Sequence, residues 1–155
     1  MNKYLLKNDI SEIVEELKNE NKKIVFTNGC FDILHVGHVR YLNKSAEFGD
    51  VLIIGLNSDA SVKRLKGETR QLNNENDRAE VLLGLKSVDY VVLFDENTPE
   101  NLLEIIKPDV YTKGADYTLE TLPEAKTVIK NGGRVEFIEM VQGKSTTNII
   151  NSIKK

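Results

Sequence analysis

Lys23–Leu56 reads KIVFTNGCFDILHVGHVRYLNKSAEFGDVLIIGL, and the alternation within this stretch decides the fold. Lys23–Thr27 is a compact apolar run of strand length. Asn28-Gly29 follows as a turn signal, and the segment from about Gly37 to Phe48 carries helical spacing, with Gly49 as a natural stop. Val51–Leu56 is almost wholly apolar, which suits a strand covered on both faces of a parallel sheet. Strand, helix and strand at this spacing make a βαβ unit with a right-handed crossover.

The same alternation extends in both directions. Upstream, Ser11–Glu20 reads as a short amphipathic helix with Ile13, Val14 and Leu17 on one side, so residues 1–20 are expected to form an N-terminal helical extension and residues 21–155 the main domain. Downstream, Asn76–Lys86 reads as a helix with Val81, Leu82 and Leu85 on its stripe, and Tyr90–Phe94 as a strand. Thr98 as N-cap before Pro99 at the first helical position opens a helix that ends near Lys107-Pro108. Val110–Thr112 is a strand, Pro123–Asn131 a helix ended by Gly132-Gly133, and Val135–Ile138 a strand. Ser145 can cap a final helix over Thr146–Lys154. Together these predict an α/β fold, a single Rossmann-like domain with a five-stranded, mostly parallel sheet and helices on both faces.

Composition narrows the function. The chain has 155 residues, of which 40% are hydrophobic and 29% charged, with a net charge of −3. These values suit a single globular domain and exclude disorder and fibrous rods. The acidic balance argues against holding nucleic acid by bulk electrostatics. One cysteine, Cys30, excludes an internal disulfide and a cysteine-built zinc site. The N-terminus lacks the apolar core of a signal peptide and no run approaches about 20 apolar residues, so a cytoplasmic protein without membrane contact is expected.

In open α/β sheets, ligands sit beyond the carboxyl ends of the strands. Both histidines of the chain, His35 and His38, fall at the first strand–helix junction. Three residues apart, they share a face of the first helical turn. Gly37 between them leaves room for a phosphate near the backbone, and a helix start favours an anion. Two imidazole donors there would grip a polyphosphate, and Asp32 is in reach to assist a magnesium ion. The histidines could instead cap the helix and pack, or join Asp32 on zinc, although a catalytic zinc site wants three protein ligands. Cys30 invites a nucleophile reading, but no Cys–His–Asn/Asp arrangement accompanies it. Neither a Walker-type G-x-x-x-x-G-K-[ST] nor a G-x-G-x-x-G fingerprint is present, which disfavours such kinases and nicotinamide or flavin dehydrogenases.

Three further elements suit phosphate. Lys63-Arg64-Leu65-Lys66-Gly67-Glu68-Thr69-Arg70 is a basic loop in an acidic chain, either a solvated helix end or a source of lysines that neutralise a phosphoryl-transfer transition state. Ser145-Thr146-Thr147 opens the last helix as a plain cap or a second anion site. Thr112-Lys113-Gly114-Ala115-Asp116-Tyr117 follows a strand on the ligand side, where it is a simple glycine turn or part of the site.

Phe31-Asp32-Ile33-Leu34-His35-Val36-Gly37-His38 resembles the H-x-G-H signature of the nucleotidyltransferase superfamily of cytidylyltransferases and adenylyltransferases, and Ser145-Thr146-Thr147 resembles its S-[ST]-[ST] helix start. With Thr27–Asp32, Asn57–Gly67, Thr112–Tyr117 and Ser145–Ile150, the chain is more closely similar to the adenylyltransferase domain of bifunctional heptose kinase/adenylyltransferases and its stand-alone forms, from about Asn21 to the end. The resemblance implies ADP-heptose and pyrophosphate from ATP and D-glycero-β-D-manno-heptose 1-phosphate, by direct in-line attack. It implies that His35 and His38 bind the triphosphate and stabilise the transition state, with Lys63 and Lys66 neutralising phosphates. Asn28, Gly29, Phe31, Asp32 and Gly37 would line the nucleotide pocket, Lys113, Gly114 and Asp116 would lie near base and ribose, and Ser145, Thr146 and Thr147 would contact the β- and γ-phosphates. Asp59 and Arg78 would support them. Magnesium would arrive with ATP, held mainly by the phosphates with Asp32 the protein carboxylate in position. A separate sugar kinase would act upstream, and a homodimer is compatible with the apolar residues near the sheet edge.

The chain departs from the heptose pattern at Arg70-Gln71, where Arg-Pro is usual, and at Gly114-Ala115, where two glycines are usual. It lacks the arginine that glycerol-phosphate cytidylyltransferases carry before S-T-T, having Met140-Val141-Gln142 instead. Lys113 also stands where related cytidylyltransferases tend to have an apolar residue. Glycerol-3-phosphate cytidylyl transfer, or transfer to another small phosphate, is the alternative reaction. A non-catalytic nucleotide-binding module is the alternative of a different class, though it would not need the transition-state groups that this chain keeps.

Overall fold

The computed structural model describes residues 3–67 and 73–139. Its elements are β1 (Tyr4–Leu5), α1 (Lys7–Asn19), β2 (Ile24–Gly29), α2 (Val36–Ala46), β3 (Val51–Asn57), α3 (Asp59–Lys66), α4 (Glu75–Leu83), β4 (Tyr90–Phe94), α5 (Glu100–Ile106), β5 (Val110–Gly114), α6 (Ala125–Lys130) and β6 (Arg134–Ile138). The expected final helix and the Ser145, Thr146 and Thr147 cluster lie outside the described residues. The strands form one sheet in the order β1-β4-β3-β2-β5-β6. Every pairing in it is parallel.

The α/β fold with a parallel sheet is therefore as the sequence predicts, but the sheet has six strands rather than five. The added strand, β1, is two residues long, too short to show any periodicity. It lies at the sheet edge, pairing Tyr4 with Val91 and Leu5 with Val92. Asn28-Gly29 is also not a turn. Both residues still pair with β3, opposite Gly55 and Leu56, so the chain leaves the sheet after Gly29, and Phe31 beyond it has a φ of +48°. Pro99 occupies the N-cap of α5, one position earlier than expected, and Thr98 makes no cap. The preceding bend is fixed from elsewhere. Ser58 Oγ donates to Asp95 Oδ1 at 2.5 Å, Arg64 Nε to Asn97 Oδ1 at 3.2 Å, and Lys7 pairs with Glu96 at 2.6 Å.

The sheet divides the core in two. One cluster packs Ile10, Val14 and Leu17 of α1 with Leu102, Leu103 and Ile106 of α5 and Val128 of α6 onto Ile24, Phe26 and Tyr111. On the other face, Tyr41 and Leu42 of α2 and Ala79 and Leu82 of α4 cover Val25, Leu52, Ile54 and Val91. Side-chain alternation along each strand produces this split. Three aspartates fix the edge where the strands begin. Asp50, Asp109 and Asp89 each accept a backbone N–H at 2.8 Å, from Lys23, Ile24 and Leu52 respectively. Gly133 lies so close to Pro108 that an added Cβ would stand 2.4 Å from its carbonyl oxygen. No helix among the described residues is long and apolar enough to cross a membrane.

Although residues 1–20 read as an extension, Ile10 is fully buried in the first core cluster. Ile10→Ala is expected to cost about 2–5 kcal/mol, as for other buried aliphatic truncations. Urea denaturation should show one transition moved to lower denaturant; a main transition left in place would mean that α1 is an independent appendage.

Candidate active site

Because all strands are parallel, their carboxyl ends share one edge. From β2 the chain steps to β3 and β4 on one side, while β5 and β6 lie on the other, so the sheet changes direction between β2 and β5. A crevice opens at such a switch point. The ends of β2 (Asn28, Gly29) and β5 (Lys113, Gly114) and the start of α2 meet there.

His35 is the N-cap of α2, and its Nδ1 accepts the Gly37 N–H at 3.0 Å. His38 Nδ1 accepts the His35 N–H at 3.3 Å, and the two rings lie 4.1 Å apart. The histidines thus cap the helix, as one reading allowed, and the N–H groups of Gly37 and His35 serve the rings rather than standing open. Capping also fixes the tautomer: with Nδ1 as acceptor, each neutral ring carries its proton on Nε2. Burial, and secondarily the neighbouring His35, push the pKa of His38 down to about 4, so its ring is a neutral donor at physiological pH. The Phe31 and His38 rings make a T-shaped contact with centroids 5.7 Å apart, and Phe31 itself holds a left-handed φ of +48°, uncommon for a non-glycine residue.

Below the histidines a buried hydroxyl network ties α2 to the sheet. Thr27 Oγ1 lies 2.8 Å from Tyr41 Oη and donates to the Thr112 carbonyl at 3.0 Å, and Ser45 Oγ lies 2.8 Å from Thr112 Oγ1. On the other side of β5, Lys113 is partly buried with Nζ 5.1 Å from the Tyr117 ring centroid. Burial lowers its pKa, against the opposing pull of Glu124, Asp116 and Cys30. Gly114 is buried and Asp116 exposed in the following turn.

Arg78 binds the remaining pieces together from a fully buried position on α4. Its Nη1 donates to the Cys30 carbonyl at 2.6 Å and the Asn57 carbonyl at 2.9 Å, its Nε to the Asn73 carbonyl at 3.2 Å, and its Nη2 pairs with Asp59 at 2.8 Å. Asp32, also buried, accepts the Asn73 N–H at 2.8 Å on Oδ1, while its own carbonyl accepts Asn73 Nδ2 at 2.7 Å. Lys63 and Lys66 are exposed in the last turn of α3, so the basic stretch begins as a helix end, and Arg64 holds that end through Asn97 and the Asp95 carbonyl. The structure therefore brings Asn28, Gly29, Phe31, Asp32, His35, Gly37, His38, Lys113 and Gly114 to the crevice edge, and links Asp59 to Arg78 behind it. Sequence reasoning missed Asn73, Tyr111 and Glu124. Their contacts cross 41, 83 and 13 positions, and no local pattern marks them.

The zinc and cysteine readings gain nothing. Among the described residues no three His, Cys, Asp or Glu side chains gather as a ligand set, and the Cys30 carbonyl serves Arg78.

The chain is similar to known proteins over most of its length. The cytidylyltransferase-like family profile matches residues 26–152. The bifunctional protein HldE of Geobacter metallireducens is 57% identical over 93% of this chain, and that of Campylobacter concisus 58% identical over 94%. The chain spans only 29% and 30% of those two relatives. A solved lipopolysaccharide core biosynthesis protein from Thermoplasma volcanium superposes with a TM-score of 0.64 at 30% identity, over 79% of this chain and 99% of that one. A pantoate-beta-alanine ligase from Francisella tularensis, with a TM-score of 0.67 at 15% identity over 95% of this chain and 73% of that one, shares the fold.

Two measurements probe the framework. Arg78→Met would leave three carbonyls and the Asp59 carboxylate without their buried partner, and is expected to cost about 3–5 kcal/mol in denaturant titrations. The second is pH dependence. The folded pKa of His38 lies below the value of about 6.5 in an unfolded chain, so the unfolded state binds more protons between the two. Stability should be flat above that window and fall as pH drops through it, by at most about 1.4 kcal/mol per pH unit. His38→Gln should flatten the slope; an unchanged slope would assign it to other groups.

Proposed function

This chain belongs to the cytidylyltransferase-like family of nucleotidyltransferases, and on that premise we propose that it transfers an adenylyl group from ATP to a sugar 1-phosphate, D-glycero-β-D-manno-heptose 1-phosphate first among candidates. The observation that carries the reading is the doubly capped start of α2 at the switch point. With their Nδ1 atoms accepting backbone N–H groups, the neutral forms of His35 and His38 keep their protons on Nε2, and this reading directs those donors to a polyphosphate. The high identity to proteins named HldE and the likeness to a lipopolysaccharide core biosynthesis protein support the heptose acceptor.

In this mechanism a phosphate oxygen of the acceptor attacks the α-phosphorus in line. A new P–O bond forms to the acceptor as the α–β bridging bond breaks, and pyrophosphate leaves with that electron pair. No covalent enzyme intermediate is needed, so the chain's work is positioning and charge stabilisation. His35 and His38 donate to phosphate oxygens as charge shifts toward the leaving group, and Lys63 and Lys66 add positive charge from the end of α3. Asn28, Gly29 and Phe31 line the nucleotide side, Lys113, Gly114 and Asp116 the base and ribose, and Ser145, Thr146 and Thr147 the distal phosphates. Magnesium in this proposal neutralises phosphate charge. With Asp32 Oδ1 already accepting the Asn73 N–H and no multi-ligand set among the described residues, the donors present suit an ion held by phosphate oxygens and water. The sugar 1-phosphate would come from a separate kinase activity.

The test is pyrophosphate release with magnesium, crossing ATP and CTP against heptose 1-phosphate and glycerol 3-phosphate. Release with ATP plus heptose 1-phosphate alone is expected. His38→Ala should then lower kcat by about 10²–10³ while ATP affinity changes far less. Release with CTP plus glycerol 3-phosphate would move the chain to cytidylyl transfer, and a His38→Ala loss confined to affinity would indicate a nucleotide sensor.

A further inference from the structure

The contact between β2 and β5 at the switch point has no part in the mechanism above. Tyr111 is fully buried, its ring stacked on Phe26 with centroids 5.9 Å apart, so its hydroxyl must find its partners within the protein. That hydroxyl donates to Asn28 Oδ1 at 2.6 Å and shares its proton with Glu124 Oε1 at 3.1 Å. Burial, with Glu124 adding to it, raises the Tyr111 pKa well above its ordinary value, so the group stays a neutral donor. Glu124 is itself buried at the N-cap of α6. Asn28 is half-buried beside Gly29 at the strand end.

An asparagine amide offers an acceptor at one end and two donors at the other. With Oδ1 held inward by Tyr111, the Nδ2 end is the one left for a ligand. We infer that Tyr111 and Glu124 are positioning residues that lock the Asn28 amide, so that it donates to an acceptor atom of the bound nucleotide, a ring nitrogen, carbonyl or phosphate oxygen. The inference rests on the reading that the crevice binds a nucleotide. It makes β5 a selector of what β2 displays: without the lock, the amide can turn and present either end, and an ordered donor becomes an averaged one.

The test compares Asn28→Ala, Tyr111→Phe and the double variant in steady-state kinetics with ATP. Each single change is expected to raise KM for ATP about tenfold with kcat within about twofold, the scale of one oriented hydrogen bond lost from binding. The double variant should be no worse than Asn28→Ala alone, because Tyr111 acts through Asn28. Effects that multiply to about a hundredfold, or a Tyr111→Phe change that leaves KM untouched or lowers only kcat, would overturn the inference. Thermal melts accompany each variant. If Tyr111→Phe fails to fold, Glu124 serves instead: Glu124→Gln should hold KM within about twofold, and Glu124→Leu should raise it as expected for Tyr111→Phe. Equal effects of the two Glu124 changes would overturn the inference. If the unaltered chain binds ATP without turnover, the adenylyl-transfer reading fails and the same cycle is read in Kd by calorimetry. Failure to bind ATP or CTP at all overturns both.

Discussion

The Arg78 guanidinium ties together stretches of the chain that lie far apart in the sequence. Its three nitrogens reach the loop after β2, the end of β3, the first residue of α3 and the segment before α4. A buried cation is costly unless every donor finds a partner, and here the planar fork meets three carbonyls and a carboxylate. Lysine could not span the same points from one ammonium. The constraint propagates: Cys30 and Asn57 set where β2 and β3 release the chain, and Asp59 sets where α3 begins. The loop that leads to the histidines and the start of the helix that carries Lys63 and Lys66 are thus tied to one group.

The two roles that the sequence offers as alternatives for the histidine pair are chemically compatible. Capping a helix and gripping a phosphate looked like rival explanations, yet an imidazole has two nitrogens and the structure uses only one of each ring for the cap. Capping removes rotational freedom that a flexible donor would otherwise lose on binding. Burial keeps His38 uncharged, so it contributes a directed N–H rather than a diffuse positive charge. The exposed lysines of α3 are the complementary kind of group, each a compact head on a flexible four-carbon stem.

How much was legible follows from how local each signal is. The parallel sheet was readable because runs such as Val51–Leu56 are apolar on both faces, and the helices because Val14 and Leu17 recur at helical spacing; on α4 the expected stripe of Val81, Leu82 and Leu85 is off, since Val81 faces out and Ala79 is buried with Leu82. The junction with His35 and His38 was readable because strand, turn and helix start lie within one short window. What escaped is set by distant partners. The two residues of β1 become a strand only against β4, Asn28-Gly29 stays extended only because Gly55 and Leu56 lie opposite, and Pro99 becomes a cap because Asp95, Glu96 and Asn97 are held by α1 and α3. Asn73 and Tyr111 look like ordinary loop and strand residues until the fold sets them against Asp32 and Asn28.

The pairing of Tyr4 with Val91 also carries a consequence for the order in which the molecule is made. β1 is synthesised before the other described strands, and the strand it pairs with among the described residues lies nearly ninety residues downstream. At about 5–20 residues per second it waits roughly 4–18 s for that neighbour to be synthesised. During that interval the apolar side of α1 also lacks α5, which follows β4. β1 and α1 are thus made well before the partners that secure them, and a nascent chain stalled before β4 would display Ile10, Val14 and Leu17 to whatever holdase chaperone meets it.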